Sequence, residues 1–240
     1  MKPSPGNSQP HQPPNTSLRL NKSLALYLGV SRREADDMIS AGKVKVGEQT
    51  AVLGQRISPT DHIFVNNTEV KPKKHFTYLM LNKPAGYVSS RAKQDSAPTV
   101  YELLPQRYHQ LKTAGRLDKD SSGLMLLSDD GDWVLQMTHP RYEKTKLYKV
   151  TLDQPLEPLH QQMIADFGVD LADGKSKLGL EAGDDKTAWR VIMHEGRNRQ
   201  IRRTFGALGY TVTSLHREQL GGYTLGELGP GEWREFKTTP

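Results

Sequence analysis

The chain has 240 residues, enough for one large domain or two modest ones, each with its own core. Its formal net charge of +6 and its pI near 9.4 favour a polyanionic partner such as nucleic acid, although anionic membrane surfaces also attract basic proteins. Since it contains no cysteine, disulfides, thiolate zinc sites and a cysteine nucleophile are excluded.

Residues 1–16 are rich in Pro, Asn, Gln and Ser, and this composition predicts a disordered arm. The arm has no apolar segment of the kind found in a secretory signal. No stretch of the chain approaches the roughly 20 apolar residues that span a bilayer. We therefore expect a cytoplasmic protein that does not bind membranes.

The first folded region is expected to cover residues 17–67. Leu20–Leu28 has the spacing of an amphipathic helix that ends at Gly29, and Ser31 with Glu34 fits the capping box of a second helix. This helix is expected to stop at Gly42, which suits a C′ position. Short strands are predicted at Val44–Val46, Ala51–Leu53 and His62–Val65.

Basic side chains crowd this region: Arg19, Lys22, Arg32, Arg33, Lys43 and Lys45. On helices such residues usually form a solvated surface. Arg32 and Arg33, however, fall at a helix N-terminus, where the macrodipole disfavours cations unless an anion binds there. A phosphate backbone would supply that anion, so RNA or DNA binding is favoured.

The segment L-N-K-S-L-A-L-Y-L-G-V-S-R-R-E-A-D-D-M-I-S-A-G-K-V-K-V, residues 20–46, resembles an S4 domain, a small RNA-binding module. One departure is Gly47-Glu48, where that family often has Asn-Gly, and it affects only a turn. Residues 68–75, which include Lys71, Pro72, Lys73 and Lys74, are interpreted as a basic linker.

The second region is expected to cover residues 76–240. Strands are predicted at Tyr78–Leu81, near Val88, and at Leu124–Leu127, Lys146–Leu152, Ala188–Met193 and Tyr210–His216. Helices are predicted at Asp132–Met137, Pro158–Phe167 and Arg197–Leu208. Strands outnumber helices and do not alternate regularly with them, which favours an α+β fold with a largely antiparallel sheet.

The segment Gly115–Gly131, G-R-L-D-K-D-S-S-G-L-M-L-L-S-D-D-G, places a carboxylate directly before an apolar strand. Asp118 is thereby expected at the edge of a core, with Arg116 two residues before it. A carboxylate held in such a place can act as a nucleophile or a base. The alternative is a solvated charged turn.

The run His194–Arg203 predicts a helix with a basic flank. Ile201, Phe205 and Leu208 share one face, and Arg202 lies about 100° from Ile201, at the border of that face. A partly buried arginine needs a carboxylate or phosphate partner. Arg199 and Arg203 fit a solvated surface or contacts with RNA phosphates.

Two further segments contain candidate residues. Tyr148 alternates with lysines in K-T-K-L-Y-K-V, so it fits either core packing or stacking on an unpaired base. Asn82–Tyr87 predicts a turn in which Pro84 and Gly86 supply the backbone angles. Lys83 of this turn is a further candidate for substrate contact, with Arg199 and Arg203.

Together these segments resemble bacterial rRNA pseudouridine synthases of the RsuA/RluB/RluF type over residues 17–236. Further segments that agree in order are K-L-Y-K-V-T, G-R-N-R-Q-I-R-R, L-H-R-E-Q-L-G-G and P-G-E-W-R. The resemblance implies that Asp118 is the essential carboxylate and that Arg202 forms an ion pair with it. It further implies that Tyr148 contacts the target uracil, Ile201 lines its pocket and Arg116 holds the flipped nucleotide.

The reaction that the resemblance implies is isomerisation of a uridine in ribosomal RNA. The C1′–N1 bond breaks, the uracil rotates and a C1′–C5 bond forms. This reaction involves no redox change and no phosphate energy, so no cofactor or metal is expected. Asp118-x-Asp120-x-Ser122-Gly123 approaches a calcium-loop pattern, but position twelve is Asp129 where Glu is required.

A second hypothesis is an inert RNA-binding factor, for instance in ribosome assembly, that keeps the fold without the chemistry. The presence of Asp118, Tyr148, Ile201 and Arg202 together favours the enzyme. The sequence leaves open which uridine is modified and in which ribosomal subunit. We expect a monomer.

Overall fold

The computed structural model describes residues 17–73, 75–92 and 96–238. The predicted disordered arm, residues 1–16, and Lys74 of the predicted linker lie outside these ranges. The chain divides into two compact units, residues 1–75 and 76–240. Within the described ranges no helix is both long and apolar enough to cross a membrane.

The first unit combines two helices with short strands. Its elements are β1 (Leu18–Arg19), α1 (Leu20–Leu28), α2 (Arg32–Ser40), β2 (Val44–Val46), β3 (Gln49–Thr50), β4 (Arg56–Ile57), β5 (Ile63–Val65) and β6 (Thr68–Val70). Among the described residues, four strands form an antiparallel sheet in the order β3-β2-β5-β6, and β1 pairs with β4. Leu20, Leu24, Ile39, Val44 and Ile63 are buried between helices and sheet.

The capping box is present, since Ser31 accepts from Glu34 N and Glu34 accepts from Ser31 N. Two predictions for this unit were wrong. Ala51–Leu53 is not a strand, because the chain turns after Gln49–Thr50. The predicted linker 68–75 begins with Thr68–Val70, which is β6 and pairs with β5.

The second unit holds the larger sheet. Its elements are β7 (Tyr78–Lys83), β8 (Lys112–Thr113), β9 (Ser122–Ser128), α3 (Gly131–Thr138), β10 (Lys146–Leu152), α4 (Pro158–Gln162), β11 (Val169–Leu171), β12 (Gly174–Ser176), β13 (Gly179–Ala182), β14 (Ala188–Met193), α5 (Gln200–Gly206), β15 (Val212–Leu220), β16 (Tyr223–Thr224) and β17 (Trp233–Glu235).

The main sheet has the order β13-β14-β10-β15-β9-β7-β17. The β9–β15 pair is parallel and the other neighbours along this path are antiparallel. The predicted α+β class with a largely antiparallel sheet is therefore confirmed. Strand β9 is buried on both faces, because Met125 and Leu127 pack in one apolar cluster and Leu124 and Leu126 pack in another. This double burial explains its continuous apolar run.

Two elements of the second unit differ from the predictions. The helix predicted from Arg197 begins at Gln200, because Arg199 adopts a left-handed conformation with φ of 47° that α-helix excludes. Val88 forms an isolated bridge with Thr99 and not a strand. The helix predicted at Pro158–Phe167 is present, and it changes from α to π geometry at Met163.

Candidate active site

A cavity of about 340 Å³ lies where the turn before β9 meets β10, β14, β15 and the start of α5. Its buried apolar lining includes Leu117, Tyr148, Met193, Ile201, Leu215 and Leu220. Asp118 also lines the cavity, and 35% of its side chain is exposed. The cavity therefore brings a solvent-accessible carboxylate together with an aromatic and aliphatic wall.

The turn that carries Asp118 is held through its backbone. Five consecutive carbonyl oxygens, those of residues 117–121, each accept a hydrogen bond from elsewhere in the second unit. The donors are Ser89 Oγ to residue 117, Lys83 Nζ to residues 118 and 121, Gly86 N to residue 119, and Arg202 Nη2 to residue 120. These contacts fix the backbone on either side of the carboxylate.

Lys83 is completely buried, and its ammonium donates to the carbonyl oxygens of Pro84, Asp118 and Ser121 at 3.1, 3.1 and 2.6 Å. Burial lowers the pKa of Lys83 to about 8, while the charges of Asp118 and Asp120 act in the opposite direction. This arrangement differs from the substrate contact predicted for Lys83. Its donors are directed to the turn, so it positions the turn.

The predicted ion pair between Asp118 and Arg202 is not formed in the structure. Arg202 donates through Nη1 to Val212 O and through Nη2 to Asp120 O, and its Nε lies 3.3 Å from Asp120 Oδ2. These two carbonyl contacts direct the guanidinium towards Asp120. Arg199 is the cation near Asp118, with Nη1 3.8 Å from Oδ2.

Asp120 is the anionic centre of this cluster. Arg199 donates to both of its carboxylate oxygens, at 3.0 and 2.9 Å. The hydrogen bonds from Arg199, with the charge of Arg202, hold the pKa of Asp120 below its usual range. The pair ties the start of α5 to the turn before β9, and Arg199 stays 43% exposed.

Arg203 lies outside the cavity lining, which differs from its predicted substrate contact. Its Nη1 and Nη2 donate to both oxygens of Asp173, and its Nε donates to Asn198 O. Arg197 contacts the same carboxylate at 3.0 Å and also lines the cavity. The two arginines attach the turn between β11 and β12 to the loop before α5.

Among the other predicted residues, Arg116 lines the cavity and is exposed, whereas Tyr148 and Ile201 are 7% and 4% exposed. The S4-region cations lie in the first unit. Arg19, Arg32, Arg33 and Lys43 are exposed, while Lys22 and Lys45 are half-buried. Arg32 donates to Asn21 Oδ1, and Lys45 donates to Asn67 Oδ1.

Comparison with known proteins matches residues 77–207 to a family model described as RNA pseudouridylate synthase. The chain belongs to this family. Residues 18–63 of the synthase match the S4 domain. Ribosomal small subunit pseudouridine synthase A of Escherichia coli K12 is 37% identical over 221 residues, covering 90% of this chain and 95% of that one. Ribosomal large subunit pseudouridine synthase B of Bacillus subtilis 168 is 36% identical over 231 residues, covering 91% of each.

The crystal structure of a pseudouridylate synthase is also similar to this chain. It superposes with a TM-score of 0.66 at 36% identity, covering 92% of this chain and 96% of the other. Since both units are included in a match of this length, the resemblance extends over the S4 region and the larger sheet.

The cavity residues that the sequence did not predict include Lys146, Arg197 and Arg217. Lys146 donates to the carbonyl oxygens of residues 144, 194 and 195, and burial lowers its pKa. Arg217 is only 2% exposed. Its position two residues after Leu215 in a strand was the available signal, because alternate strand residues share one face.

Proposed function

We propose that this synthase converts a uridine of ribosomal RNA to pseudouridine, with Asp118 as the essential carboxylate acting on a flipped-out nucleotide. Family membership supports the reaction, and its similarity to ribosomal small and large subunit pseudouridine synthases supports the ribosomal substrate. The observation that carries the proposal is the cavity, because it combines an accessible Asp118 with an apolar wall. Its volume of about 340 Å³ is in the usual range for ligand sites.

The cavity wall suits an extruded base. Flipping a uridine costs a few kcal/mol of unstacking, which contacts with an aromatic and an aliphatic side chain offset. Tyr148 and Ile201 would supply these contacts. Asp118 would then act on the ribose, either at C1′ or on a sugar proton, while the buried wall excludes water from the detached uracil.

The cations divide between substrate contact and positioning. Arg116 and Arg199 are exposed enough to meet phosphates that flank the target. Arg202, Arg203 and Lys83 act on the protein, since their donors hold Asp120, Asp173 and the turn. Arg202 and Lys83 thereby position Asp118 through the turn that carries it.

The S4 unit would supply sequence-independent affinity for RNA through its exposed cations. We further propose that the protein acts in the cytoplasm, where ribosomal RNA is found, and that it acts as a monomer. No observation favours the alternative of an inert RNA-binding factor.

Asp118→Asn tests the role of the carboxylate, because it removes the charge with little change of shape. Pseudouridine would be measured by chemical mapping of small- and large-subunit rRNA transcripts treated with each protein. We expect no product from Asp118→Asn, with RNA affinity within about twofold of the native protein. Asp166→Asn, at an exposed carboxylate of the π-helical turn, is the matched control and keeps full activity.

Turnover by Asp118→Asn above that of a sample without protein would contradict the assigned role.

A second measurement identifies the uridine that is modified. Pseudouridine maps of total rRNA from cells with and without the gene should differ at one site. Identical maps would contradict the ribosomal substrate.

A further inference from the structure

Arg217 holds a charge in the protein interior that the fold does not neutralise. Its side chain is 2% exposed, and its Nε donates to Leu124 O at 2.8 Å. Within the described part of the chain, its buried Nη2 has no hydrogen-bond partner and its guanidinium forms no ion pair. An unpaired buried charge is costly, and a buried unsatisfied donor needs an explanation.

The position of Arg217 places this donor at the candidate site. Arg217 lies in β15 opposite Tyr148 of β10 in antiparallel register, and directly opposed residues project from the same face of a sheet. Both residues line the cavity. The charge of Arg217 also contributes to the lowered pKa values of Lys83 and Lys146, so positive charge is concentrated around the cavity.

The backbone of Arg217 also pairs with β9, the strand on the side of β15 opposite to β10. Gly123 of β9 pairs with Arg217 in the parallel register and has φ of +107°. A Cβ atom on Gly123 would lie 2.5 Å from Arg217 N, so glycine is required for this close approach. Because its backbone pairs with a strand on each side and its Nε donates to Leu124 O, the guanidinium of Arg217 is preorganised for a ligand.

The depth of Arg217 indicates which part of the substrate it meets. Phosphates of an RNA chain stay at the surface, where the exposed Arg116 and Arg199 are suited to them. A base inserted against Tyr148 reaches the interior, and uracil presents carbonyl oxygens as hydrogen-bond acceptors. We propose that Arg217 donates to an exocyclic carbonyl oxygen of the target uracil and stabilises the negative charge of the detached base; this inference rests on the proposed function.

The chemistry of the isomerisation fits a fixed donor. When the C1′–N1 bond breaks, its electron pair stays with N1 and the charge spreads to the carbonyl oxygens. Rotation of the ring about its N3–C6 axis exchanges N1 with C5 and O2 with O4. The C1′–C5 bond then forms, C5 loses its proton and N1 gains one. A guanidinium that binds O2 before the rotation therefore meets O4 after it.

The test combines a protein change with a substrate change. Arg217→Met keeps the length of the side chain and removes the charge, and Arg190→Met changes an exposed arginine of β14 as the matched control. RNA substrates would carry uridine, 2-thiouridine or 4-thiouridine at the site identified by mapping. Sulfur accepts hydrogen bonds less well than oxygen, so the thio substrates weaken the proposed contact, and the comparison with Arg217→Met separates this loss from the other effects of sulfur.

We expect Arg217→Met to lower single-turnover kcat by about 10²-fold to 10³-fold with RNA affinity retained. The native protein should react about 10-fold or more slowly on at least one thio substrate, and Arg217→Met should show no such difference. Arg190→Met should behave as the native protein. If Arg217→Met does not fold, Arg217→Lys is used in the same comparison, because it keeps the charge and loses the planar fork.

Native kcat in a folded Arg217 variant would overturn the inference. So would equal thio effects in the native and variant proteins, or no thio effect in the native protein. These outcomes presuppose that the native protein makes pseudouridine. A native protein that makes none would instead contradict the proposed function, so the two failures are distinguishable.

Discussion

Replacing Lys83 by Met should lower the rate of pseudouridine formation strongly and the stability of the protein only slightly. The substitution keeps a long unbranched side chain in a fully buried position and removes the ammonium. The carbonyl oxygens of Pro84 and Ser121 then lose the donor that Lys83 provides, whereas Asp118 O still accepts from Ser121 N. The turn keeps its other hydrogen bonds, but residues 84, 118 and 121 are no longer joined through one ammonium, so the carboxylate of Asp118 can shift.

The expected change in stability is small because two effects oppose each other. Two unsatisfied buried carbonyls cost about 2–6 kcal/mol together. The lowered pKa of Lys83, about 8 against an ordinary 10.5, means that the buried charge itself costs roughly 3 kcal/mol at pH 7. We therefore expect a net loss of no more than about 3 kcal/mol, which leaves the protein folded.

Activity should fall much further, because a carboxylate displaced by about 1 Å loses on the order of 10²-fold in rate. The measurements are denaturant unfolding, RNA affinity and single-turnover pseudouridine formation. The control is Lys175→Met, which removes only an exposed ion pair with Asp170. Native kcat in Lys83→Met, or a loss of RNA affinity with kcat unchanged, would refute the positioning role.

Three other outcomes are expected. Since the folded pKa of Lys83 lies below its unfolded value, the unfolded chain binds the extra proton between about pH 8 and 10.5. The free energy of unfolding of the native protein relative to Lys83→Met should therefore rise by roughly 3 kcal/mol across that window, and a flat difference would contradict the lowered pKa. Gly123→Ala should destabilise the protein by about 3 kcal/mol or more in thermal or denaturant unfolding, because its Cβ meets the backbone of Arg217. Changing Arg32 and Arg33 to Gln together should lower the salt slope of log RNA affinity by about one to two, and an unchanged slope would argue against phosphate contacts.

Local signals predicted much of the fold. Leu20–Leu28, the Ser31 capping box and Lys146–Leu152 have the bounds that hydrophobic spacing and end residues indicated. The prediction of a strand at Ala51–Leu53 was wrong because three consecutive apolar residues on a loop resemble a strand, and Val52 is 65% exposed. Bounds that are set by adjacent residues were therefore predicted correctly, whereas the exposure of an apolar segment depends on the rest of the fold and was not.

The site was predicted less completely, because its ionic contacts depend on tertiary structure. Asp118 and Asp120 are two residues apart in one turn, and spacing alone does not indicate which of them meets Arg202. A lysine is normally expected at the surface, so the burial of Lys83 had no sequence signal. Asp118 itself was placed at the cavity, since a buried strand follows it directly.

The hydrogen bonds to the carbonyl oxygens of residues 117–121 affect which amino-acid substitutions this segment tolerates. The five hydrogen bonds that hold its backbone are accepted by carbonyl oxygens, which every amino acid possesses. The shape of the segment is thus largely independent of the identity of the side chain at Lys119, which is exposed. The side chain of Asp118 thus remains available for substrate, while the backbone around it is held by distant positions such as Lys83, Ser89 and Arg202.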